Sequence, residues 1–219
     1  FGDAVEYRHG SYGSAPPTVD GKHVLMVDFS FKRPVLEDLA ARAASITILD
    51  HHNTAKDDLE PLFAEGIVGG LFDMDRSGAG IAWDVLHPNV SRPSIIDIIE
   101  DRDLWRWKFG DITRYACKWL DTHEMTFENW DQAAKDLDTN YNEVIKIGAT
   151  LYRSHIKNCE SMIAATMRRE VIGGFDVPVC NVPHLFCSEV GNMLAKREDA
   201  PFGASFFINK DGDRVYSLR

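Results

Sequence analysis

Three polar groups emerge where an apolar strand should leave the core: Asp50, His51 and His52 end the stretch SITILDHH. Burying an unpaired ionised group costs several kcal/mol or shifts its pKa. A partner is therefore required, and imidazole and carboxylate are both ligands for first-row divalent metals. Capping the next helix is the competing duty for Asp50, but Asn53 and Thr54 directly precede AKDDLEPLF and are placed to take it. Asp28, at the end of HVLMVD, and Asp101, at the end of SIIDIIED, add carboxylates at comparable positions. Asp103 competes with Asp101 for a ligand role, and Asp101 is preferred because it follows the expected helix end directly. Carboxylate with imidazole suits Mn²⁺, Mg²⁺, Co²⁺ or Zn²⁺, while the lack of nearby Cys argues against structural zinc. Converging carboxylates repel unless a cation neutralises them. Two ions about 3.5–4 Å apart are the usual arrangement for hydrolysing phosphate esters.

The elements that must position these groups alternate. AVEYRHG is a strand candidate, and HVLMVDFSF has the continuous apolar character of a strand buried on both faces. RPVLEDLAARA reads as a helix, SITILD as a strand, TAKDDLEPLFAE as a helix, GIVGGLF as a strand and GAGIAWDVLH as a helix closed by Pro88. Such alternation implies a parallel sheet with right-handed crossovers. Ligands of these sheets sit beyond the carboxyl ends of the strands, which is where Asp28 and residues 50–52 fall. A helix over Ser94 to Glu100 should terminate in Asp101-Arg102-Asp103, with helices near 113–123 and 126–137 after it. One long helix follows from Tyr141 to about Arg169, roughly 40 Å at 1.5 Å per residue. It reads as a connector between two domains and a possible dimer contact. His155 on its apolar stripe reads as a core or interface residue.

Beyond it, VIGGFDVPVCNVP gives strand, turn and strand, SEVGNMLAKRE a helix, and FGASFFINKDGDRVYSLR a hairpin turning at Asp211-Gly212. The expected fold is α/β: a doubly wound, mainly parallel sheet over 1–125, a helical connector over 126–169, and a smaller α/β second domain over 170–219. The opening FGDAVEY, without Met, and the close at RVYSLR read as the ends of a fragment.

Bulk properties restrict the function classes. The chain has 219 residues, a formal net charge of −10 and four cysteines. That charge disfavours a broad grip on duplex nucleic acid, which relies on basic surface, but leaves room for a short oligonucleotide in a local metal pocket. Cys117, Cys159, Cys180 and Cys187 lack CxxC spacing and read as reduced thiols, which favours the cytoplasm. No run approaches the roughly 18 apolar residues of a membrane helix, and the opening residues carry no signal-peptide pattern.

Taken in order, VDFS, LDHH and IIEDRDLW resemble the second to fourth motifs of the DHH phosphoesterase superfamily. VPVCNVP, SEVGNMLA and RVYSLR resemble its associated substrate domain. Known members include single-strand exonucleases, nano-RNases, cyclic-dinucleotide phosphodiesterases and manganese pyrophosphatases. The resemblance implies that Asp28 bridges two Mn²⁺ (or Mg²⁺ or Co²⁺) ions, that His51 binds one and that Asp101 binds the other. It implies that Asp50 orients an imidazole and that His52 contacts the scissile phosphate or protonates the leaving oxygen. The superfamily's first motif, a His and two Asp, and its glycine-rich GGGH stretch are both absent, so these residues alone should bind metal weakly.

Among the remaining candidates, Arg219 can pair with a substrate phosphate or serve as an ordinary edge-strand arginine. Arg76 precedes a helix start that offers an anion site, where capping by Ser77 is the competing role. Ser188 begins the expected SEVGNMLA helix and is a weaker substrate candidate. Trp105 and Trp107 can stack bases or fill the core beside the site. The expected activity is metal-dependent hydrolysis of short single-stranded oligonucleotides or dinucleotides. A phosphatase for nucleotides or bisphosphates, or a non-catalytic nucleotide-binding module, is the alternative.

Overall fold

Leu36 and Leu39 on one helix, and Leu59 and Leu62 on the next, are fully buried and line one face of the first sheet. In the computed structural model, which describes residues 4–197 and 200–219, these helices are α1 (Arg33–Arg42) and α2 (Asn53–Ala64). They connect β1 (His23–Val27), β2 (Ser45–Asp50) and β3 (Gly69–Phe72), which pair in parallel in the order β1-β2-β3. The two-residue period of β2 sends Ile46 and Ile48 into the same core. Each such side chain contributes roughly 1.5–3 kcal/mol on burial, so the carboxyl ends of the strands rest on a firm base. α3 (Gly78–Leu86) packs on β1 and β2 and buries Ile81 completely.

A second core joins α4 (Ser94–Asp103), α5 (Asp111–Leu120), α6 (Phe127–Thr139) and the first turns of α7 (Tyr141–Thr166) around Ile98, Trp119, Leu137 and Val144. Gly148 lets α7 approach α5: a Cβ there would lie 2.0 Å from the Tyr115 carbonyl oxygen. The chain forms two compact units, Phe1–Gly148 and Ala149–Arg219. The second contains β4 (Arg168–Ile172), β5 (Phe175–Asn181), α8 (His184–Ala195), β6 (Ala204–Ile208) and β7 (Arg214–Leu218). Its sheet has the order β4-β5-β6-β7, antiparallel at both outer pairs and parallel between β5 and β6. The protein is therefore mixed α/β. All four cysteines are free thiols, and three of them, Cys159, Cys180 and Cys187, are buried in one core of this unit. No helix among the described residues is long and apolar enough to cross a membrane.

Several boundaries differ from the sequence expectations. Residues 5–10 form no strand; Val5 and Tyr7 are its only large apolar groups and both are exposed. β1 is buried on one face only: Val24 and Met26 face the core under α1 and α2, while Leu25 and Val27 on the other face are exposed. α4 continues through Asp103, α8 begins four residues before Ser188, and α7 ends at Thr166 so that Arg168 and Arg169 open β4. The unit boundary falls at Gly148, inside the expected connector, because α6 and the start of α7 belong to the second core of the first unit.

Candidate metal centre

The centre is built at the carboxyl ends of β1 and β2. Asp28 continues the β1 ladder by donating its N–H to the Leu49 carbonyl at 2.9 Å, then turns with φ 56°. That left-handed conformation is uncommon for a residue other than Gly. The side chain lies against the start of α3, where only a glycine fits: a Cβ on Gly78 would sit 2.3 Å from Asp28 Cβ and 2.6 Å from its Oδ1. Across from it, His51 Nε2 lies 3.0 Å from Asp28 Oδ1 and 3.4 Å from Asp103 Oδ2. One ligand atom each from Asp28, His51 and His52 fall within 4.8 Å of one another.

Asp50 is completely buried and spends its carboxylate on the two histidines that follow it, not on capping α2. Its Oδ1 accepts the backbone N–H groups of His51 (2.7 Å) and His52 (3.3 Å), and it faces His52 Nδ1 at 2.7 Å. Ser30 donates to its second oxygen at 3.3 Å. With Nδ1 held by a carboxylate, the His52 imidazole is fixed in orientation and its Nε2 is left for other partners. His52 itself occupies the N-cap position of α2, so Asn53 and Thr54 are helical residues and not the cap.

Asp101 is not beside His51. It is only 3% exposed, and its carboxylate accepts the Lys108 N–H at 2.7 Å, the Phe109 N–H at 3.4 Å and the Thr113 hydroxyl. It holds the 104–110 turn, and its neighbour Asp103 takes the position expected for it. The reason is rotational: two residues along a helix turn about 200°, so the two carboxylates of α4 point to opposite sides.

Arg76 is also placed otherwise than expected, bonding Asp73 and Asp84 at 2.8 Å each. Ser77 caps α3, accepting the Gly80 N–H at 3.0 Å. In the second unit Arg219 donates to Ser188 Oγ at 2.9 Å, from a mid-helix serine and not a cap. Trp105 is 38% exposed and thus not a core residue.

Asp28, Ser77, Ala79, Ile99, Arg102, Asp103 and Trp105 line a cavity of about 370 Å³. Burial pushes the Asp28 carboxyl above its usual range; His51 opposes this, and the negative charge of Asp103 adds to it. Tyr12, which no sequence pattern singles out, packs its ring on Phe29 with centroids 5.0 Å apart. Burial, and then the charges of Asp50 and Asp28, hold its hydroxyl above the usual phenol range.

The donor set fits a divalent cation. Two cis ligands about 2.1 Å from an octahedral ion stand about 3.0 Å apart, close to both contacts of His51 Nε2. The ligand atoms gathered within 4.8 Å of one another are one carboxylate and two imidazoles, of Asp28, His51 and His52, a set that suits first-row divalent ions; Asp103 adds a carboxylate 3.4 Å from His51 Nε2.

No family model matches the chain, and no solved structure matches it. The chain is 28% identical over 214 residues to the uncharacterized protein R106 of Acanthamoeba polyphaga mimivirus, a match covering 92% of this chain and 47% of that protein. The chain thus spans about half the length of this relative.

Proposed function

We propose that this chain is a metal-dependent phosphoesterase of the DHH type, acting on short single-stranded oligonucleotides or dinucleotides. In this reading the first unit is the core of a doubly wound sheet. The observation that carries it is the convergence of Asp28 and Asp103 on His51 Nε2 at the carboxyl ends of parallel strands, where such sheets bind ligands.

Asp28, His51 and Asp103 would hold Mn²⁺, with Asp101 acting only through the turn it ties down. A divalent ion there supplies Lewis acidity toward a phosphoryl oxygen and a water that ionises near neutral pH. The chain's own residues do the rest. Asp50 keeps a proton on His52 Nδ1, which leaves Nε2 to contact the phosphate or pass a proton to the departing oxygen. Gly78 keeps the Asp28 carboxylate in place. A cation there would offset the repulsion between the acidic site and a phosphate, so metal should strengthen substrate binding.

Titration of the 219-residue chain with Mn²⁺ by calorimetry tests the metal assignment. His51→Ala and Asp103→Asn should each weaken binding at least about 10-fold, a loss seen even for outer partners of metal ligands. Unchanged affinity in His51→Ala would sink it. A panel of dinucleotides, longer RNA and DNA, cyclic dinucleotides, pyrophosphate and bisphosphonucleosides, with Mn²⁺, tests the reaction. Metal binding without hydrolysis of any of these would make the chain a binding module.

A further inference from the structure

Two arginines near the centre, Arg76 and Arg92, are each tied to at least two carboxylates. Arg102, in the last turn of α4, is different. Its guanidinium rests on the rings of Trp105 at 4.8 Å and Trp107 at 5.5 Å, and among the described residues no ion pair accompanies these contacts. Cation–π contacts use no N–H donor, and the guanidinium donors form the fork that grips phosphate in bidentate fashion. Arg102 and the exposed Trp105 line the same cavity as Asp28 and Asp103.

The backbone that presents them is unusual. Trp105 and Trp107 both have left-handed φ, 52° and 55°, a conformation rare for bulky residues. The turn is held in that shape by Asp101, whose carbonyl accepts the Arg106 N–H at 3.0 Å and whose carboxylate accepts the Lys108 N–H. Strained turns kept by buried supports concentrate at ligand sites.

We propose that Trp105 and Arg102 form the nucleotide-recognition edge of the metal centre. The Trp105 indole stacks on one base, and Arg102 takes a phosphate of the same nucleotide. The identity of the bond cleaved rests on the phosphoesterase reading above; the binding does not. Stacking on a tryptophan tolerates any base, so the edge selects for nucleotides without selecting a sequence.

The test compares AMP with ribose 5-phosphate by calorimetry on the full chain, in EDTA and again in Mn²⁺. AMP should bind roughly 10-fold tighter or more, the gain from one stacked base. Trp105→Leu should abolish the difference and Trp105→Phe should restore part of it. Arg102→Met, which keeps the apolar stem against the rings, should weaken both ligands alike. A preference for AMP in either condition that disappears in Trp105→Leu and partly returns in Trp105→Phe supports the proposal. Equal affinities for the two ligands in both conditions, an AMP preference untouched by Trp105→Leu, or no binding of either, overturns it. Loss of Mn²⁺ binding with the AMP preference intact would remove the phosphoesterase reading and leave this one standing.

Discussion

Asp101→Asn separates a supporting role from a metal-binding role. The Asp101 carboxylate accepts three donors while 3% exposed: the Lys108 and Phe109 N–H groups and the Thr113 hydroxyl. Asparagine keeps one acceptor oxygen and replaces the other with a donor. The bond to Lys108 survives without its charge, the Thr113 hydroxyl must turn to accept, and the Phe109 N–H faces an NH₂. A charge-assisted bond is worth about 1.5–3 kcal/mol and a neutral one about 0.5–1.5. The expected loss is therefore about 2–4 kcal/mol, a large part of the roughly 5–15 kcal/mol that holds a typical domain together. In thermal unfolding this corresponds to a fall of roughly 5–15 °C in Tm.

Urea unfolding followed by tryptophan fluorescence is the direct assay, because Trp105 and Trp107 lie in the turn that Asp101 supports. Below its unfolding transition the variant should bind Mn²⁺ about as well as the unmodified chain. Asp103→Asn should behave in the opposite way, with stability within about 0.5 kcal/mol and weakened metal binding. An Asp101→Asn protein of normal stability that no longer binds Mn²⁺ would refute the division of labour and return Asp101 to the metal.

Gly78→Ala should destabilise the metal-free protein by about 1–3 kcal/mol through overpacking against Asp28 and lower Mn²⁺ affinity, both readable by denaturation and calorimetry. His52→Ala should leave Mn²⁺ affinity nearly unchanged while turnover of the best substrate falls by about 10²–10⁴-fold, the loss typical of a missing general acid. Asp84 is held down to about 2, first by Arg92 and also by Arg76. Because its folded value lies below the ordinary 3.8, its stabilisation is full above pH 4 and is lost as pH falls toward 2. Asp84→Asn should therefore be less stable than the parent at pH 7, with the two acid-denaturation curves converging near pH 2.

Much of the first sheet was legible in sequence, because alternating strand and helix patterns and buried Leu pairs leave few arrangements open. The grouping of Asp28 with His51 followed from the same topology: both sit at carboxyl ends of paired strands. Boundaries were harder. Asn53 and Thr54 are the residue types that favour a cap, yet α2 is already helical at both and His52 stands at the N-cap, with the buried Asp50 carboxylate holding the backbone N–H groups of residues 51 and 52. An aspartate often bonds the backbone N–H two residues on, and at a strand end this competes with the capping of the next helix.

The Asp101–Asp103 choice did have a signal. Ile95, Ile98 and Asp101 follow one another at three-residue spacing and are the buried residues of α4. A helix that continued one turn past Glu100 would therefore carry Asp101 on the core stripe and Asp103 about 200° away. Placing the helix end at Glu100 hid this, since a residue beyond a helix has no assigned face. A buried aspartate on that stripe requires internal donors, and Thr113 and the 107–109 turn supply them. Those same donors fix the left-handed turn that presents Trp105 to the cavity. One feature, the extra turn of α4, thus settles two placements together: Asp101 lies on the core stripe and not beside His51, and Trp105, one residue beyond the helix cap, is exposed and not core.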